Sequence, residues 1–269
     1  MSAAGRGLRT GLRLGLAGLL VAFLVRPAAF AGLLAPFAAG GRPAVYTQTP
    51  MLALAASHLA LTAAAVGAAA AVAVAAGVFV TRPAGREFLP LARTLAGIGQ
   101  TFPPVAVLAL AVPALGFGAG PTLVALFLYA LLPILEMTMA GLEQQPAEVA
   151  EAARGMGMTG WQRLTLVDLP LATPAILAGI RVAAVISLST ATIGSTVAAR
   201  TLGEVIVAGL QTGNGAFVLQ GALAVGGLAI ALNAAFQALE RRAQARAGWR
   251  PASTGPGAAT GRLRGPGAG

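Results

Sequence analysis

Side chains able to do chemistry are scarce in this 269-residue chain. It contains no cysteine and no lysine, one histidine (His58) and one aspartate (Asp168). A metal centre needs several converging His, Cys or carboxylate ligands, so no metal site is expected. The phosphate-binding loop of an ATPase, Gly-x-x-x-x-Gly-Lys-Ser/Thr, cannot be built without lysine, and any energy input has to come from a partner. An intramembrane enzyme would need a convergent nucleophile, base or metal, against which the lone His and lone Asp argue. No catalytic residue and no cofactor bound by this chain is therefore expected. What remains is a small set of ionised groups. Four of the eight acidic residues, Glu143, Glu148, Glu151 and Asp168, fall in one short stretch together with Arg154 and Arg163.

The elements that must position that stretch are apolar. The chain is 57% hydrophobic and 10% charged, with a mean hydropathy of +0.80, whereas soluble domains carry about 25% charged residues. Apolar runs fall near 14–36, 52–80, 95–115, 120–140, 173–195 and 216–238, and a transmembrane helix takes about 20 residues. The expectation is an all-α integral membrane protein of about six spans. The net charge of +10 comes from arginine alone, distributed between the spans rather than clustered on one soluble face, which argues against nucleic-acid binding. With the N-terminus inside, fourteen of the eighteen arginines face the cytoplasm and only Arg42 and Arg200 face out. That is the bias of the positive-inside rule, and it places both termini in the cytoplasm of a multi-pass plasma (inner) membrane protein. Arg26-Pro27 interrupts the first run, and Ala29-Phe30-Ala31 resembles a signal-peptidase site after a basic start; a retained span and a cleaved or interfacial segment both stay open. Three regions follow: an N-terminal segment with the first span (1–50), a membrane core (51–240) and a Gly/Pro/Ala/Arg-rich tail (241–269) with too little to bury, expected to be disordered.

In this topology 141–172 is the longest cytoplasmic loop. Pro146 suits a helix start, Glu148 and Glu151 suit its positive end, and the alanines that follow favour helix. Gly155 and Gly157 predict a tight turn. Thr159 with Gln162 predicts a capping box and a second short helix, with Trp161, Leu164 and Val167 on its apolar face and Pro170 at its end. A hairpin lying on lipid would gain from basic residues; this one is mixed in charge, which suits docking into a protein cleft.

The stretch "EAARGMGMTGWQRLTLVDLPLATPAILAGIR" (151–181) resembles the EAA signature of permease subunits of binding-protein-dependent ABC importers: Glu151-Ala152-Ala153, then Gly157, then Val167 before Leu169-Pro170. Residues 97–142 and 179–197 resemble the glycine betaine, carnitine and choline branch. The similarity covers about 52–238. It implies a five-helix permease core after one N-terminal helix, and it implies that Glu148, Glu151, Ala152, Ala153, Gly155, Gly157, Thr159, Trp161, Leu169 and Pro170 form the loop coupled to an ATP-binding subunit that uses the ATP. It further implies an extracytoplasmic solute-binding protein and a second permease subunit, in a homo- or heterodimer surrounded by lipid. One departure is Arg200-Thr201, where the branch has a Gly-rich segment; it bears on the external gate.

Quaternary ammonium solutes are held by aromatic cages, and this chain has two Trp and two Tyr. Only Tyr129, with Phe102, Phe117 and Phe127, is available to a membrane pathway, joined by Thr190 and Thr192. A low-affinity path is expected, with specificity in the separate binding protein. A permease for another small solute, such as an amino acid, is the alternative. An ion-coupled secondary transporter would want internal repeats and charged midplane residues, which are not evident. His58 reads as a polar interfacial residue, Glu136 and Arg181 as partners of one another or of a neighbour, or as snorkelling groups, and Gly67, Gly77, Gly179, Gly226 and Gly227 as close-packing positions.

Overall fold

The computed structural model describes residues 3–38 and 40–246, and every regular element among them is helical. Apolar Ala-, Leu- and Val-rich runs must satisfy their backbone internally in lipid, and a helix does so within the segment. The helices are α1 (Ala3–Val25), α2 (Met51–Val80), α3 (Leu89–Thr101), α4 (Pro104–Leu115), α5 (Ala119–Glu143), α6 (Ala147–Gly155), α7 (Gly160–Val197), α8 (Gly203–Thr212) and α9 (Gly215–Arg246). Of these α2, α5, α7 and α9 are long and apolar enough to span a membrane, and two bent pairs bring the number to as many as six.

Both bends sit at proline. The residue before a proline is driven out of the helical region. Arg26, before Pro27, has φ −131° and ψ 63°, and the segments on either side, Gly15–Val25 and Pro27–Phe37, meet at 109°. Phe102, before Pro103-Pro104, is extended at ψ 137°, and the third apolar run becomes two helices crossing at 95°. This run is thus a sharply bent helix pair, not the single rod its hydropathy suggests.

Helix α5 is central, packed against α2, α3, α4 and α7, while α9 packs on α7, α8 and α1. Small residues set the spacing: Gly77 lies on Thr138, Gly179 on Met137 and Gly227 on Leu20, whereas a Cβ at Gly67 or Gly226 would meet nothing within 4 Å among the described residues. One apolar core joins α1, α2, α8 and α9 around Leu34, Leu54 and Leu202. A second joins α2, α5 and α7 around Ile134, Leu135 and Met139.

Two expectations are corrected. Pro170 does not end a short helix; the chain runs continuously from Gly160 into the fifth span. A proline lacks an N–H and its ring meets the carbonyl four residues back. The preceding turn, Leu164–Asp168, is a π-helix in which the Leu169 N–H reaches the Leu164 carbonyl, and this wider turn relieves that conflict. At the other end α9 remains helical to Arg246, beyond the expected start of the tail; residues 247–269 lie outside the described residues.

Candidate functional site

The polar stretch forms a helical hairpin. Pro146 precedes α6 as its N-cap residue, and Glu148 lies in the first turn. At the other end the N–H groups of Gly157 and Met158 donate to the carbonyls of Arg154 (2.9 Å) and Ala153 (3.1 Å), the paired bonds of a Schellman ending. That ending needs a left-handed residue, and Gly157 supplies it at φ +73°. Gly155 is the last residue of α6 and does not have positive φ. The capping box is present: the Gln162 N–H donates to Thr159 Oγ1 (3.2 Å), and the Thr159 N–H donates to Gln162 Oε1 (2.8 Å).

Exposure along the hairpin is uneven. Ala153 is buried, while Glu148, Glu151, Ala152, Gly155, Thr159 and Pro170 are exposed and Leu169 is half-buried. Trp161 does not share the inward face with Leu164: Leu164 is buried, whereas Trp161, Met156 and Leu166 present 72%, 68% and 65% of their surface. The hairpin thus exposes three large apolar side chains and two carboxylates, Glu148 and Glu151, that form no ion pair among the described residues. Gly157→Val is expected to strain the turn by about 1–3 kcal/mol and, if the hairpin couples to an ATP-binding subunit as the EAA resemblance implies, to abolish most of the solute-stimulated ATPase activity of that assembly. Gly155→Ala, with open space around its Cβ, should leave that activity close to the unmutated level; equal loss in both variants would refute the assignment of the turn to Gly157.

The hairpin is tied to the bundle by Asp168. Its Oδ2 accepts from Arg82 Nη2 (2.7 Å) and from Arg163 Nε (3.3 Å), and only 8% of the carboxylate side chain is exposed. Gln145 Nε2 donates to the Asp168 carbonyl (2.8 Å). One residue thus joins the end of α2, the end of α5 and the start of α7. Glu136 and Arg181 are not each other's partners. Glu136 pairs with Arg93 on α3 (3.0 Å), and Arg181 pairs with Glu240 (2.5 Å) and Asn233 (3.3 Å) on α9.

Of the residues suggested for a pathway, Phe102 and Tyr129 meet. The Tyr129 hydroxyl donates to the Phe102 carbonyl, a group freed by the break between α3 and α4. Phe102 and Phe117 are exposed, while Phe127 packs against the second core. Thr190 and Thr192 lie at the far end of α7, where the helix tightens into the 3₁₀ segment Ala191–Val197 and Thr192 Oγ1 donates to the Ser189 carbonyl (2.7 Å).

That far end is closed by groups whose importance the sequence concealed. His58 is fully buried among its neighbours. Its Nε2 bonds the Leu188 carbonyl (2.8 Å) and its Nδ1 accepts the Leu202 N–H (3.2 Å), which fixes a neutral ring protonated on Nε2. Thr201, buried, bonds Ser195 Oγ (2.7 Å) and accepts the Gly203 N–H (3.1 Å); neighbouring Arg200 is exposed. Gly203 lies so close to the Thr192 carbonyl that any Cβ would overlap it. Glu204 accepts from the hydroxyls of Tyr46 (2.7 Å) and Thr49 (2.6 Å). Burial, with the Glu204 carboxylate beside it, pushes the Tyr46 phenol above its ordinary pKa, keeping it a donor.

The described residues thus form a helical bundle of up to six candidate spans with a polar hairpin at one end. Residues 73–245 match the model of the family described as "Binding-protein-dependent transport system inner membrane component", and the chain belongs to that family. It is 40% identical to an osmoprotectant import permease protein of Salmonella typhimurium, over 69% of this chain and 79% of the relative. It is 37% identical to a glycine betaine/carnitine/choline transport system permease protein of Bacillus subtilis, over 63% of this chain and 81% of the relative. The fold is shared with the inward-facing MetNI methionine ABC transporter, with a TM-score of 0.63 and 22% identity over 73% of this chain and 99% of that one. The chain is a multi-pass permease subunit of an ABC importer, and family membership implies an ATP-binding subunit and a substrate-binding protein as partners.

Proposed function

We propose that this permease passes small compatible solutes of the glycine betaine, choline and carnitine type. The observation that carries this reading is the 36–40% identity to several permeases named for those solutes or for osmoprotectants. The scarcity of Trp and Tyr beside the break at Phe102 supports a weakly binding path, with selectivity in the soluble binding protein. The exposed hairpin, 146–170, docks into a cleft of the ATP-binding subunit; its exposed Trp161, Met156 and Leu166 and the exposed carboxylates of Glu148 and Glu151 support this. A second permease subunit covers the remaining pathway wall. Residues 51–240 form the core, preceded by the bent segment 1–50. The division of arginines supports a cytoplasmic hairpin and cytoplasmic termini.

Reconstitution with the ATP-binding and solute-binding proteins tests the substrate class. ATP-dependent uptake of radiolabelled glycine betaine, choline or carnitine is expected, with no tight betaine binding by the isolated permease. Uptake of amino acids instead would overturn it. Orientation is tested in this cysteine-free chain by Phe117→Cys and Gln211→Cys, expected to label from outside intact cells, and by Phe88→Cys and Gly160→Cys, expected to label only after permeabilisation. External labelling at 160 would invert the topology.

A further inference from the structure

A cleft of about 580 Å³ opens between the start of α7 and the end of α9, within the range of small-molecule sites. Helix α7 contributes Thr165, Leu169, Thr173 and Leu177, spaced by four residues along one face, together with Pro170; α9 contributes Leu239, Ala243 and the arginines Arg242 and Arg246. At a rise of about 1.5 Å per residue, Thr165 to Leu177 spans roughly 18 Å, close to the ~15 Å half-thickness of a bilayer hydrocarbon core. The deep end is apolar, at Leu177 and Leu239, and the mouth is basic.

The nearby charges explain why the mouth stays basic. Asp168 is engaged by Arg82 and Arg163, and Glu240 by Arg181. Arg242 and Arg246 are exposed and form no ion pair among the described residues. Four residues apart, they stand one turn above the other on a single face. The hydroxyls of Thr165 and Thr173 are spent as donors on the Trp161 (3.0 Å) and Leu169 (2.8 Å) carbonyls, so the donors left at the mouth are the two guanidiniums. Planar guanidiniums bind phosphate oxygens in pairs, and basic pockets between spans on the cytoplasmic side suit anionic lipid headgroups.

We propose that this cleft is a binding site for an anionic phospholipid, its phosphate held by Arg242 and Arg246 and an acyl chain lying along Leu169, Leu177 and Leu239. The length of the groove and its apolar floor favour a lipid over a soluble polyanion or the ATP-binding subunit. The site belongs to the inner leaflet in the orientation proposed above.

Native mass spectrometry of the purified full chain in detergent, titrated with phosphatidylglycerol or phosphatidylcholine, tests it. Phosphatidylglycerol should bind in preference, and Arg242→Gln and Arg246→Gln should each weaken it about fivefold, the double variant more. Arg242→Lys with Arg246→Lys should retain part of the affinity, and phosphatidylcholine binding should not change. Millimolar inorganic phosphate should not displace the lipid. Equal phosphatidylglycerol binding by the double glutamine variant, or displacement by phosphate, would overturn the proposal. So would loss of ATP-binding-subunit association in that variant with lipid binding unchanged, which would make the arginines a protein contact. Labelling of Gln244→Cys in cells reports the side independently: external labelling refutes the orientation, while the lipid titration still decides the site.

Discussion

Replacing His58 with alanine is expected to destabilise the folded permease by about 2–4 kcal/mol, read as a large fall in detergent melting temperature and in membrane yield. The ring is fully buried and bridges α2 to the carbonyl of Leu188 and to the N–H of Leu202. Alanine leaves a cavity and strands a backbone N–H where no water can replace the partner. His58→Gln, which keeps polar atoms near both groups, should recover part of the loss. A melting temperature for the alanine variant within a degree or two of the unmutated protein would show that the bridge contributes little. Because the ring joins α2 to the segments on either side of Ala198, which sits in a left-handed conformation at φ +63°, partial unfolding should begin at the Thr190–Leu202 turn.

Asp168→Ala is expected to have the second large effect. It removes the shared acceptor of two guanidiniums that are themselves only 25% and 31% exposed. Breaking a buried pair from one side costs about 3–5 kcal/mol, and the partial exposure of both arginines reduces this to about 2–3 kcal/mol. Because the same carboxylate holds the hairpin against α2, solute-stimulated ATPase activity should fall further than stability. Asp168→Asn separates charge from shape: it fills the space but binds both arginines weakly. Should the asparagine variant retain full coupling, hydrogen bonding rather than the ion pair would be what secures the hairpin. Full activity in the alanine variant would remove Asp168 from the coupling route.

The parts legible from sequence were those set by near neighbours. The capping box of Thr159 and Gln162, the turn at Gly157 and the start at Pro146 each depend on residues within a few positions, and they lie where expected. The spans were legible because hydropathy needs only a window. Pro103-Pro104 carried the break in the third run, but hydropathy averaged over it. What stayed hidden depends on distant partners. Asp168 meets Arg82 across 86 positions and His58 meets Leu202 across 144, and no local pattern announces either. Trp161 shared a helical period with Leu164 yet faces outward while Leu164 is buried, because only the packing of the hairpin on the bundle decides which flank of so short a segment is covered. Pro170 was read as a stop for the same reason: the sequence shows the missing N–H, and only the fold shows the widened turn that absorbs it.

Helix α7 carries a mechanical consequence. From the capped residue next to Thr159 to the turn beside Gly203 it is one rod of 38 residues, roughly 57 Å long at 1.5 Å per residue. A tilt of about 5° at one tip sweeps the other through about 5 Å, more than the ~4 Å contact distance between two carbon atoms. Its hairpin end contains the five-residue π-turn Leu164–Asp168, which Asp168 closes. A displacement of the hairpin below this turn is expected to reach the far tip of the helix only while the ion pairs of Asp168 hold the turn rigid.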